Sequence, residues 1–388
     1  MPTLLCIWGI IATFQGFVTS FKGLLAVRFF LGLVEGPMTP AILLYLSGFY
    51  PRRNLSVRIA FFLASSTLSA AFSGLLAAAI QDMNGLGGKA GWRWIIILEG
   101  LFSVVMGFAG FFLIPSTPRR SKFINEREKD LIERRLEKDR PSIGQMDKLD
   151  RKQIINSIMS PHVILLSVVM FLQGTIVYGL GFFVPSIVDQ LGFSATRSQL
   201  LSAGPFGAGF LVAVTASYLS DRYKARGIPI AILSAVSTVG FVVYLCTKRK
   251  YVAYGSIYLT VPGTYASTPI LASWIANNSE PHYRRATSIA VGIVALGCGG
   301  ILSTWRFPTK EGPRFTTTTI MNIVFCVVIG FAALLNSFFL SRMNASKQRR
   351  RSEILAPYTD DSDEKNRDAG MTAWVELGDN HPDFHYNI

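Results

Sequence analysis

An all-α membrane protein is the fold class this sequence predicts, and three observations carry it. Half of the 388 residues are hydrophobic and only 16% are charged, whereas a soluble chain carries about 25%. Apolar runs close to the length that spans a bilayer as a helix recur from end to end. Gly, Ser and Ala are scattered through those runs, as close helix packing in lipid requires.

Ten spans are expected, at 3–20, 24–48, 56–80, 94–114, 160–184, 199–219, 228–246, 253–276, 286–305 and 319–341. The first is an unbroken apolar run. The second carries Gly32, Gly36 and Pro40, the sixth Gly204, Pro205 and Gly207, the eighth Pro269, and the ninth Gly297, Gly299 and Gly300. Glycines let a neighbouring backbone approach, and prolines permit bending around a cavity.

The connection from Pro115 to Pro161 is the one long polar loop. Within it, "NEREKDLIERRLEKD" sets Leu131, Ile132 and Leu136 at helical spacing among mixed charges, which reads as a short amphipathic helix. The expected organisation is a four-span bundle over 1–114, a linker over 115–160, a six-span bundle over 161–341 and a disordered tail over 342–388.

The net charge of +14 is the sum of scattered loops, not a nucleic-acid patch. With the N-terminus in the cytosol, 27 of the 38 Lys and Arg residues fall on the cytosolic side, as the positive-inside rule demands. Both termini are therefore expected to be cytosolic, in a multi-pass protein of the plasma membrane.

The four cysteines lie in apolar runs without a CxxC pair, and the four histidines sit at span ends or in the tail. No metal site, cofactor or catalytic cluster is expected, and no HExxH, GxSxG or Walker loop occurs. An enzyme is not the reading.

Two charges stand out. "RFFLGLVEGPMTP" places Arg28 and Glu35 seven residues apart in the second span. Seven residues turn a helix by about 700°, so both face nearly one way, about 10 Å apart along the axis. A charge at mid-bilayer costs about 2.5–3.5 kcal/mol on insertion scales, so it must face a cavity or a partner. One reading is transport, with Arg28 binding a substrate carboxylate and Glu35 exchanging a proton. The other is a fixed interhelical ion pair. Glu99, a further intramembrane acid, reads as a tie between helices.

The span grammar, with its long central loop, resembles the major facilitator superfamily. "SYLSDRYKARG" is similar to that superfamily's loop signature, Gly-x-x-x-Asp-Arg followed by basic residues. Asp221, Arg222 and Arg226 match it, and Ser217 stands in place of the glycine. The resemblance implies a gating latch, in which an acid and arginines pair across a helix boundary.

Within the superfamily the chain resembles the anion:cation symporter group and its fungal nicotinate- and allantoate-type permeases. "FYPRRNLSVRIA", "MNGLGGKAGWRWIIILEG", "YGLGFFVPSIV" and "SWIANNSEPHYRRATSIA" carry this. In that group the Arg-x6-Glu of this helix binds substrate and proton, which the resemblance transfers to Arg28 and Glu35. Gly297 departs from the Asn or Gln often found there. Family members have six plus six spans. This chain has four plus six, and its first span matches the family's third.

Further substrate-binding candidates are Gln173 and Tyr178 in the fifth span, about 140° apart on the helix, and Trp274 in the eighth. Each also reads as packing. The function implied is proton-coupled symport of a small organic monocarboxylate, such as nicotinate or a related vitamin acid. The partners are that anion, the proton and the bilayer, and the chain is expected to act as a monomer. A non-transporting membrane regulator or nutrient sensor is the alternative.

Overall fold

A computed structural model describes residues 1–81, 83–139, 151–190, 195–305, 315–358, 373–374 and 376–388. All ten expected spans are helices. They are α1 (Pro2–Gln15), α2 (Phe21–Glu35) with α3 (Met38–Phe49), α4 (Leu55–Gln81), α5 (Gly91–Leu113), α8 (Pro161–Gln190), α9 (Ala195–Tyr223), α10 (Gly227–Cys246), α11 (Lys250–Asn277), α12 (His282–Trp305) and α13 (Thr316–Arg349). Among the described residues, seven segments are long and apolar enough to cross a membrane. The amphipathic segment of the linker is α6 (Glu126–Asp139), with Leu136 buried, and α7 (Arg151–Ile158) leads into α8. Residues 140–150 of that linker lie outside the described residues.

The chain divides into two compact units. The first comprises Met1–Tyr45 and Phe72–Arg134, and the second Leu46–Ala71 and Arg135–Ile388. The boundary therefore falls inside α3, α4 and α6 rather than between bundles.

In the first unit α1 packs on α5. Small residues allow it: a Cβ on Gly100 would strike Thr13, and one on Gly107 would strike Cys6. Glu99 sits one residue from that seam and is exposed, with no salt bridge among the described residues, so the expected tie between helices is not formed. The span over 24–48 is interrupted. Helix α2 ends at Glu35, Gly36 and Pro37 intervene, and α3 starts at Met38. Pro37 has no N–H to give the carbonyl four residues back, so the ladder breaks there. Pro40, by contrast, lies within α3. Gly32 has open space beside it and Gly36 meets only the carbonyl of Gly32. Neither glycine seats a neighbouring helix among the described residues.

In the second unit α8 packs on α12 and α13, and α10 on α11 and α13. Gly174 faces the Leu296 carbonyl and Gly299 the Phe171 carbonyl so closely that no Cβ fits at either. Gly204 is filled over by the Tyr258 hydroxyl, while Gly207 and Gly297 face open space. Helix α11 is the interior element, buried from Thr260 to Asn277 except at Tyr265. It is rich in Ser and Thr and holds Pro262 and Pro269, which keep it out of the seven apolar segments. Most buried hydroxyls are bonded. Ser256, Ser267 and Ser273 each donate to the carbonyl three residues back, on Ala253, Thr264 and Ile270.

The expectation of a disordered tail is corrected over 373–374 and 376–388. Helix α13 runs on to Arg349, and the last residues fold against the helix ends, burying Ala373, Asp379, His381, Phe384 and Tyr386. Their order comes from distant partners rather than local propensity. The acidic stretch "DDSDEKNRD" lies outside the described residues.

Candidate functional site

Arg28 and Glu35 lie in the first unit, both on α2 and both exposed. Neither has a salt bridge among the described residues, so the fixed ion pair of the second reading is not formed there. Glu35 is the last residue of α2, directly before the break at Gly36 and Pro37. A carboxylate beside an interrupted ladder has unpaired backbone nearby and room to change rotamer.

The other candidates lie in the second unit. Gln173 is buried, and its amide nitrogen donates to the Thr264 carbonyl (2.6 Å), Ser267 Oγ (2.8 Å) and Thr268 Oγ1 (3.1 Å). That nitrogen is committed to holding α8 against α11. Tyr178 is 40% exposed and lies over Gly300. Trp274 is fully buried, and its indole N–H donates to the Asn387 carbonyl at 2.8 Å. The structure thus places Gln173 and Trp274 in packed hydrogen-bonded positions and leaves Tyr178 accessible. A narrow cleft among α8, α10, α11 and α13, lined by Leu180, Phe241, Thr260 and Asn322, includes none of these residues.

Two of the three residues expected to form the latch, Asp221 and Arg226, meet in a tight cluster in the second unit. Asp221, at the end of α9, pairs with Arg226 at 2.6 Å, with side chains 6% and 1% exposed. The other carboxylate oxygen accepts from the Val57 N–H at 3.0 Å. Arg226 also donates to Ser220 Oγ (2.9 Å) and to the Arg52 carbonyl (3.4 Å). The same Arg52 carbonyl accepts from Asn277 Nδ2 at 3.0 Å. Arg52 itself is held by Asp139, whose Oδ2 accepts the Arg52 N–H at 2.7 Å. The loop 50–57 is thereby tied to the 221–226 loop and to the end of α11. Arg222 is exposed and makes no salt bridge among the described residues. Ser217, where the signature has Gly, is buried with its hydroxyl unpartnered among the described residues.

Sequence reasoning missed a second ion pair of the same form. Glu280 and Arg285 pair at 3.2 Å, 1% and 3% exposed. Their spacing, an acid five residues before an arginine across a helix boundary, repeats that of Asp221 and Arg226 and is the signal that marks it. Arg52 was also missed. It sits in a quoted motif, "FYPRRNLSVRIA", but nothing local distinguishes it from Arg53.

Membrane-length helices that pack through small residues, with an acid–arginine cluster at one end, define a polytopic helical transporter. The family model for the Major Facilitator Superfamily matches residues 1–304, and the chain belongs to that superfamily. An uncharacterized transporter of Schizosaccharomyces pombe is 33% identical over 87% of this chain and 67% of its own length. The high-affinity nicotinic acid transporter of Saccharomyces cerevisiae is 27% identical over 90% of this chain and 65% of its own length. The chain thus spans about two thirds of the length of such relatives. Among solved structures, the proton:xylose symporter XylE superposes with a TM-score of 0.64 at 16% identity, covering 88% of this chain and 78% of that one. The E. coli fucose:proton symporter FucP gives 0.65 at 12%, covering 86% and 82%. Members of this superfamily are transporters and not enzymes, and this chain is an integral, multi-pass membrane protein.

Proposed function

We propose that this protein is a proton-coupled symporter of small organic monocarboxylates, of the anion:cation symporter group, with nicotinate or a related vitamin acid as substrate. One observation carries the reading: Arg28 and Glu35 share α2, both are exposed, and neither is spent on an ion pair among the described residues. An arginine offers two parallel N–H donors to a carboxylate. A glutamate one helical repeat further along can carry the proton that accompanies the anion. The likeness to a nicotinic acid transporter supports the substrate class.

In this reading Arg28 binds the anion and Glu35 couples the proton. Within the second unit, Gln173 and Trp274 position α8 and α11, and Asp221 with Arg226 holds the gate. The gate end faces the cytosol of a plasma-membrane protein that acts as a monomer, with both termini on that side. The test is uptake in proteoliposomes. Glu35→Gln should abolish accumulation driven by a proton gradient while sparing exchange of labelled for unlabelled nicotinate. Accumulation by that variant would refute the proton role. Nicotinate binding without any transport by the wild type would favour a sensor.

A further inference from the structure

The tail is bonded to the gate itself. Its Asn387 carbonyl accepts from Trp274 Nε1 (2.8 Å) and Asn278 Nδ2 (2.9 Å), while the Asn387 N–H donates back to Asn278 Oδ1 (2.8 Å). Trp274 and Asn278 are fully buried. Without the tail, these donors at this end of α11 would lose the acceptor they share among the described residues, at about 1–3 kcal/mol for each group left buried and unbonded.

On the other side of the cluster, the guanidinium of Arg52 lies over the Phe384 ring, 4.5 Å from its centroid, and donates to the His385 carbonyl. The Arg226 N–H donates to the Ile388 carbonyl. The tail is in turn anchored on α12 and α13. Arg284 pairs with Asp379 at 2.5 Å, and Lys347 donates to the Asp379 carbonyl at 2.9 Å.

We propose that residues 373–388 are an intramolecular clamp that holds loop 50–57 against the 221–226 loop and must undock before this gate opens. The geometry requires it. Parting Arg52 from Arg226 and Asn277 pulls the guanidinium of Arg52 off Phe384, while Asn387 stays bonded to α11. The segment grips both sides of the seam, so the gate cannot part with the clamp seated. The inference rests on the reading of this cluster as a gate, yet it does not depend on the substrate or on Glu35.

Hydrogen exchange on the full chain in nanodiscs tests it. A variant lacking residues 373–388 should exchange the amides of 52–58 and 222–230 about tenfold faster, because opening becomes cheaper. A synthetic peptide of residues 373–388 added in trans should restore protection, and the same peptide with Phe384→Ala should not. If the deletion does not fold, Phe384→Ala in the full chain is read in the same amides and should speed their exchange. Unchanged exchange in the folded deletion, or in Phe384→Ala, would overturn the clamp. So would equal rescue by both peptides. Loss of proton-coupled uptake with exchange protection intact would instead count against the substrate reading.

Discussion

Arg226 and Asp221 close a 2.6 Å ion pair that is almost wholly buried, five residues apart across the junction of α9 and α10. Two charges at that depth are tolerated because each is further bonded, Asp221 by the Val57 N–H and Arg226 by Ser220 and the Arg52 carbonyl.

Removing one partner strands the other. Arg226→Ala is expected to lower stability by about 3–5 kcal/mol, the usual cost of an uncompensated buried charge. The double variant Asp221→Asn with Arg226→Met should recover most of that loss. Thermal unfolding in detergent, run as a double-mutant cycle, measures both, and equal losses in the single and double variants would contradict the pairing.

Helix packing gives a paired prediction on one helix. Gly299→Ala drives a Cβ into the Phe171 carbonyl, so α8 and α12 must separate, and the variant should express poorly or unfold early. Gly297→Ala, two residues away, enters open space and should behave as wild type. Size-exclusion profiles of the two variants make the comparison.

Gln173 separates positioning from binding. Its amide nitrogen has three acceptors on α11, so Gln173→Leu should cost about 1–3 kcal/mol of stability. If the residue only positions α8, KM for exchange stays at the wild-type value. A raised KM at unchanged stability would make it a ligand instead.

The tail should respond to pH through Asp379. Burial pushes this carboxyl up from 3.8 to about 6, with Arg284 and Lys347 pulling the other way and Glu280 adding to the rise; Tyr386 also faces it. A raised value in the docked state means docking binds a proton. The Asp379 contribution is full below pH 3.8 and is lost as pH rises through about 6, worth about 3 kcal/mol. His381 acts in the opposite sense. Burial lowers it, so its contribution is present above 6.5 and falls as the pH drops. Asp379→Asn mimics the protonated acid and removes only the first effect. Exchange of the Tyr386 and Asn387 amides, corrected for intrinsic rate, should be slower in Asp379→Asn than in wild type at pH 7. The two should converge toward pH 4, and a constant difference across that range would contradict the assignment.

Much of this was legible in the sequence because hydropathy and small residues act locally. All ten apolar runs became helices, and the amphipathic period of "NEREKDLIERRLEKD" became α6. The break after Glu35 is written in "EGP", where Pro37 and not Pro40 interrupts the ladder. Which of Arg222 and Arg226 joins Asp221 depends on where α9 stops, and only the fold decides that. The ordered tail was hidden for another reason. Its composition is polar, and Phe384 and Tyr386 meet cations more than 30 residues away, while Trp374 stacks on His381 within the tail.

In the proposed mechanism, anion and proton travel together by way of Arg28 and Glu35. The most direct test is proton movement in proteoliposomes carrying an internal pH dye, with no gradient imposed. Adding nicotinate outside should acidify the lumen in the wild type and leave it unchanged in both Glu35→Gln and Arg28→Ala. Equal acidification in wild type and Glu35→Gln would contradict the account.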